Sequence, residues 1–216
     1  MKQIKKWWVF LILILSLSAI QDEQSNFTPL DDIDNYKKEL KDFSDNTKSI
    51  QSDFIQEKHL SMLDEIIISK GSFSFNKENS VRWEYHVPIQ YTIVIHDGKF
   101  SIKDGEKVSS FDVNSNFLFR QINTIIVSIV SGMIPGSEEF EIHYYENPEL
   151  YELRLIPVQF EVAEMLKSIR IFQAKKDLTV RKVIISESNE DFTVLNFQNT
   201  HLNVDIPKEN FKLQLP

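Results

Sequence analysis

From Gly71 to Tyr85 apolar and polar side chains alternate without a break: Phe73, Phe75, Val81, Trp83 and Tyr85 share one parity, and Ser72, Ser74, Arg82 and Glu84 hold the other. A period of two predicts two strands with one apolar and one wetted face, joined by the polar turn from Asn76 to Ser80. The alternation continues through Tyr91, Ile93 and Ile95 to Asp97-Gly98, and through Phe100 and Ile102 to Asp104-Gly105; both dipeptides are hairpin turn signals. Further strands are predicted around Phe140, Ile142 and Tyr144; around Tyr151, Leu153 and Leu155; from Ile169 and Ile171 onward; and over 180–185, 193–197 and 211–215. So many short antiparallel strands predict a mainly β fold, a curved sheet or unclosed barrel in which one face of each strand meets a common interior.

Three segments carry a helical period. Tyr36, Leu40 and Phe43 recur at spacings of four and three among Lys and Glu, which predicts an amphipathic helix started by Asp34 or Asn35 as its cap. Ile50 and Phe54 continue that stripe in phase, yet Ile50, Ser52, Phe54 and Gln56 fit a strand equally well. In 117–133, Leu118, Ile122, Ile125, Ile126, Ile129 and Met133 follow helical spacing, and no charge appears between Arg120 and Glu138. A helix this apolar must be covered, by the concave sheet or by something else. A short third helix is expected from Gln159 to Lys167, after Pro157.

The N-terminus decides where such a fold works. Lys2, Lys5 and Lys6 precede an apolar run from Trp7 to Leu15 and the small residues Ser16 to Ala19, the layout of a cleavable secretory signal at residues 1–19. A polar, flexible lead-in is expected over 20–35 and a single domain over 36–216, since no long Ser/Gly/Pro linker or internal repeat interrupts the chain. Loss of the leader removes three lysines and shifts the formal net charge from −8 to −11. So acidic a chain argues against a nucleic-acid partner. The absence of cysteine excludes a disulfide framework, a thiolate nucleophile, cysteine-ligated zinc and a lipid-modified N-terminal cysteine. Stability then rests on burial, for which the length is sufficient.

Chemistry-bearing patterns are missing. There is no Gly-x-Ser-x-Gly, no Gly-rich phosphate loop, and His59, His86, His96, His143 and His201 are scattered without metal-ligand spacing. No enzyme activity, metal or cofactor is expected.

The ordered set formed by Ser52-Asp53-Phe54-Ile55-Gln56 closing the first helix, Lys70-Gly71-Ser72-Phe73, Val81-Arg82-Trp83-Glu84-Tyr85, Pro88 and Asp97-Gly98-Lys99 resembles the periplasmic outer-membrane lipoprotein carrier family, LolA. Pro157, Ile169 to Phe172, Asp191-Phe192-Thr193, Phe197, Asn203 and Phe211 continue the resemblance, which spans about residues 36 to 215. It implies an unclosed antiparallel β-barrel with α-helices lidding a hydrophobic cavity. Its cargo would be an acylated lipoprotein or other lipid, taken from an inner-membrane release complex and passed to an outer-membrane acceptor by a monomer in the Gram-negative periplasm; the alternatives are carriage of a glycolipid or other lipid-linked product, and a non-carrier envelope sensor or scaffold of the same fold. The cavity residues expected are Phe54, Phe73, Phe75, Trp83, Ile93, Ile95, Ile122, Ile126 and Ile129. Any one of them could be core filler; the case for a cavity is their collective surplus over small residues able to close the space. Members of the family often carry Arg-Pro or Lys-Pro in the hairpin turn, whose basic residue ties the lid. This chain has Lys77-Glu78 there, and lysine lacks the planar fork of arginine, which weighs against a lid contact by Lys77. Arg82, on the opposite parity from Trp83, reads as a solvated charge.

Overall fold

The computed structural model describes residues 27–77, 80–112 and 139–213. In chain order the elements are β1 (Thr28–Pro29), α1 (Ile33–Asn46), β2 (Ser49–His59), β3 (Ile67–Asn76), β4 (Ser80–Val87), β5 (Tyr91–His96), β6 (Lys99–Asp104) and β7 (Lys107–Asp112). They continue with β8 (Phe140–Glu146), β9 (Leu150–Pro157), α2 (Phe160–Ala163), β10 (Leu166–Ala174), β11 (Val180–Glu187), β12 (Phe192–Leu202) and a 3-10 turn at Lys208–Phe211. Among the described residues twelve strands form one antiparallel sheet in the order β1-β8-β9-β10-β11-β12-β2-β3-β4-β5-β6-β7, and its edge strands β1 and β7 do not pair with each other. It therefore consists of two meanders, β2 to β7 and β8 to β12, joined along β2 and β12.

The hairpin that dominates the sequence pattern folds as expected: Phe73 faces Trp83 and Phe75 faces Val81 across the β3–β4 ladder, and all four are buried. Gly71 opposes Tyr85, where a Cβ would lie 2.0 Å from the Glu84 carbonyl oxygen and 2.7 Å from the Phe54 ring, so only glycine fits. Asp97 and Gly98 both take positive φ (50° and 70°), the twist that closes a two-residue hairpin.

Curvature follows from where α1 sits. Tyr36 packs against Tyr144 of β8 and Tyr151 of β9 and donates its hydroxyl proton to Gln173 of β10, while Phe43 lies over Ile50 and Phe73 of β2 and β3. A helix of 14 residues is about 21 Å long. In a flat sheet the strands it touches would be about 29 Å apart, so the sheet curls around it. Phe54, Phe73, Phe75, Trp83, Leu155, Ile169, Val183 and Leu195 belong to the one large core on that concave side.

Several expectations change. Ile50 to Gln56 belong to strand β2 and not to a helix; α1 ends at Asn46, and the alternate residues Ile50, Ser52 and Phe54 bury against the concave core. The cap of α1 is Asp32, whose carboxylate accepts from the Asn35 N–H at 3.0 Å, two residues before the earlier of the two expected caps. Within the expected lead-in, Thr28 and Pro29 pair with β8, and the Leu30 N–H donates to the Tyr144 carbonyl at 3.0 Å. The helix expected at 159–167 shortens to Phe160–Ala163, because Leu166 already enters β10. Phe211 ends a 3-10 turn where a strand was expected. The edge strand β7, too polar to stand out by pattern, was missed. The apolar segment 117–133 and the leader lie outside the described residues.

Candidate functional site

Six of the nine expected cavity residues are described, and they share one surface. Phe54 from β2, Phe73 and Phe75 from β3, Trp83 from β4 and Ile95 from β5 are buried on the concave face; Ile93 is half-buried beside them. Ile122, Ile126 and Ile129 lie outside the described residues. Register explains the convergence: Phe73, Trp83, Ile93 and Ile102 stand side by side on four successive strands. Trp83 is ringed by Phe54, Phe73 and Phe197, with ring centroids 5.1, 5.0 and 6.0 Å away at steep angles, the edge-to-face packing that aromatic quadrupoles favour. Phe197 was read as part of a strand but not as part of the site. It arrives from the other meander, so only the β2–β12 register, Phe54 opposite Phe197, reveals it.

Toward the ends of β2 and β4 that lie away from α1, the same face turns polar. The Tyr85 hydroxyl donates to Gln56 Oε1 at 2.9 Å and its ring stacks on Tyr91 with centroids 4.1 Å apart. Burial, then the neighbouring Tyr91, pushes the Tyr85 hydroxyl pKa well up, so it stays a neutral donor. Burial does the same for Tyr36.

α1 closes the opposite end of the concave face. Between Phe43 and the sheet residues Ile50, Ser52, Phe73, Val180 and Phe197 lies an apolar cavity of about 30 Å³, room for a water or a methyl group. Lys77 is one of the ties that hold α1 there. Its Nζ donates to the carbonyl oxygens of Ser44 and Asp45 at 3.1 and 2.8 Å, in the last turn, where the helix dipole favours a cation; the Ser44 oxygen also accepts from the Thr47 N–H at 3.4 Å. The missing fork of arginine does not prevent the contact, because two separate carbonyls, unlike one carboxylate, require no planar bidentate donor.

The convex face carries polar contacts that strand parity alone could not show. Arg82 pairs with Glu84 at 2.7 Å and donates to the Asn210 carbonyl at 3.2 Å, fastening the C-terminal segment; its expected role as a solvated charge is corrected. Ile206 and Phe211 of that segment bury Val94 in a second small core. On β9 and β10, the fully buried Glu152 accepts from Arg154 Nε at 2.7 Å and from Arg170 Nε at 2.6 Å. Burial alone would raise its pKa, but the two guanidiniums hold the carboxyl below the usual carboxylate range.

At the end of the sheet away from α1, the loops and strand ends expose large apolar groups: Met62, Leu63 and Ile66 to Ile68 from the β2–β3 connection into β3, Val87 at the end of β4 and Ile89 after it, and Val158, Phe160 and Met165 around α2. The rim was not anticipated; the contiguous apolar run 66–68 is the sequence signal that could have found it. Asp191 anchors its base by accepting from the Ser61 N–H and hydroxyl at 2.7 and 2.8 Å, which lowers its pKa. Among the described residues no cluster of His, Asp and Glu could hold a metal, and no helix is long and apolar enough to cross a membrane.

An open antiparallel sheet wrapped around an apolar concave face, with a helix pinned across one end, defines a half-barrel fold. The chain belongs to the LolA family: the profile described as "Outer membrane lipoprotein carrier protein LolA" matches residues 45–214. An outer-membrane lipoprotein carrier protein of Nitrosospira multiformis is 24% identical over 189 residues, covering 82% of this chain and 83% of its own length. Among solved structures, an uncharacterised conserved protein from Thermus thermophilus superposes with a TM-score of 0.51 at 9% identity, covering 83% of this chain and 94% of its own. A LolA superfamily protein from Nitrosomonas europaea superposes with a TM-score of 0.44 at 9% identity, covering 82% and 97%. At 9% identity the Thermus thermophilus structure speaks to the fold alone.

Proposed function

We propose that this protein is a periplasmic carrier that takes up the acyl chains of lipoproteins on its concave face and shuttles them from an inner-membrane release complex to an outer-membrane acceptor. The observation that carries the reading is the aromatic surface of Phe54, Phe73, Trp83 and Phe197 on a sheet whose edges do not close. An acyl chain laid there leaves water at about 0.8 kcal/mol per methylene, so one chain is a substantial ligand. The cavity beneath Phe43 is too small for a chain, so cargo at that end requires α1 to lift, and the Lys77 contacts are what that movement breaks. Release is exchange: the chain leaves when another surface covers it equally well.

Native mass spectrometry of the protein recovered from a Gram-negative periplasm, followed by lipid extraction, tests this directly. A co-purified triacylated peptide is the expected result. A bound glycolipid would keep the carrier and change its cargo. An empty protein that also refuses a fluorescent acyl probe would turn the concave face into closed core and overturn the reading.

A further inference from the structure

Trp83 presents an anomaly at the centre of the concave face. Its side chain is buried, yet among the described residues no acceptor lies within hydrogen-bond reach of the indole Nε1. Indole is a donor only, so this N–H can be satisfied only by an acceptor brought to it. The surroundings offer hydrocarbon, from Phe54, Phe73 and Phe197. Other polar groups on the same face are paired: Tyr85, two residues along, donates to Gln56, and the Ser52 hydroxyl is bonded to the Gln198 carbonyl at 2.8 Å. A purely structural aromatic at this position needs no N–H, and one without it would avoid the desolvation cost of a buried, unpaired donor.

We propose that Trp83 Nε1 is a specificity-determining donor that binds the carbonyl oxygen of an acyl ester or acyl amide, so the site recognises acylated cargo and not hydrocarbon in general. The inference rests on the carrier reading above and deepens it. A saturated chain is recognised by its bulk alone, whereas a chain joined through a carbonyl presents one acceptor at a fixed place along its length. Trp83 meets that acceptor, while its ring and the three phenylalanines cover the first methylenes. The indole edge then discriminates as buried donors do: the matching ligand satisfies it, and a ligand without a carbonyl leaves it unpaired.

The chain has three tryptophans, Trp7, Trp8 and Trp83, so in a Trp7→Phe, Trp8→Phe background one indole N–H resonance reports Trp83 alone. The experiment titrates that protein, nitrogen-labelled, with methyl laurate and with tetradecane, chains of equal length. It follows both the indole resonance and displacement of the dye N-phenylnaphthylamine. Methyl laurate is expected to bind about 5–10-fold more tightly than tetradecane, and it alone should move the indole proton downfield. Trp83→Phe removes ring contact from both ligands alike, so both should weaken, and the ester should fall to the affinity that tetradecane shows in the same variant. An indole resonance that stays still while the ester binds, or an ester preference that survives in Trp83→Phe, overturns the inference and leaves the carrier reading standing. If neither compound displaces the dye, the carrier reading falls and this inference falls with it. The resonance is read with Trp83 intact, so the test holds even if Trp83→Phe fails to fold.

Discussion

The two ends of the sheet are built to opposite specifications. At the end crossed by α1, polar side chains bind the chain to itself: Lys77 grips two helix carbonyls, and Asn203, at a φ of 57°, accepts from the Lys48 N–H at 2.7 Å and donates to the Asn46 carbonyl at 3.3 Å. The Ser49 hydroxyl donates to the Val204 carbonyl at 2.5 Å in the same knot. At the other end the connections carry Met62, 92% exposed, and Phe160, 71% exposed, among other apolar groups standing in water. Every exposed large apolar side chain among the described residues lies toward that end except Phe111, on the edge strand β7. One end is given over to holding its shape. The other carries exposed apolar surface that adds little to folding.

Substitutions can break this contrast, and the largest effect is expected between the two ends. Gly71→Ala drives a methyl into the Glu84 carbonyl and the Phe54 ring and should cost about 3 kcal/mol, read as a lower urea midpoint. Glu152→Ala, on the convex face, should cost about 2 kcal/mol; the loss is below that of a fully buried pair because Arg154 and Arg170 keep partial access to solvent. The same carboxylate sets an acid limit. Its folded pKa is depressed, so its contribution is complete above the ordinary carboxylate range and is lost as pH falls through the folded value. Urea midpoints should therefore drop below about pH 4.5, and Glu152→Gln should flatten that part of the profile.

Smaller effects separate the ends themselves. Asn203→Ala forces a left-handed backbone on alanine and removes both side-chain hydrogen bonds, an expected loss of about 1.5 kcal/mol by thermal melting. Lys77→Met should cost under about 1 kcal/mol, since the lysine is exposed, but should raise hydrogen exchange in the last turn of α1. At the apolar end, Leu63→Ser with Phe160→Ser should change stability by no more than about 0.5 kcal/mol while slowing delivery of a fluorescent acyl cargo to vesicles. A large fall in stability from that double change would erase the distinction between the ends.

What the sequence made legible follows the range of the interactions. The hairpin from Gly71 to Tyr85 and the Asp97-Gly98 turn are local, and their alternation and turn chemistry agree with the backbone they form. Ile50 and Phe54 satisfied two periods at once, and the choice was made by β12, which pairs Phe54 with Phe197 from the far end of the chain. Glu152 falls on the wetted parity of its strand, and nothing nearby in sequence signals that Arg170 reaches across from β10 to bury it. Of the candidate site, the concave residues on β2 to β5 could be read from alternation. Phe197 and the contacts of Lys77 could not, because both depend on which strand ends meet.

The seam between the two meanders also has a kinetic meaning. Within each meander neighbouring strands follow one another in the chain, so those hairpins can form without closing a long loop. The β2–β12 ladder is different: the hydrogen bond from Ser52 to the Gln198 carbonyl joins residues 146 positions apart. Closing so large a loop costs entropy before any contact offsets it, which places zipping of this seam late on the folding path. Phe54 and Phe197 meet only when that ladder forms, so the concave face is assembled last, after both halves already hold their own shape.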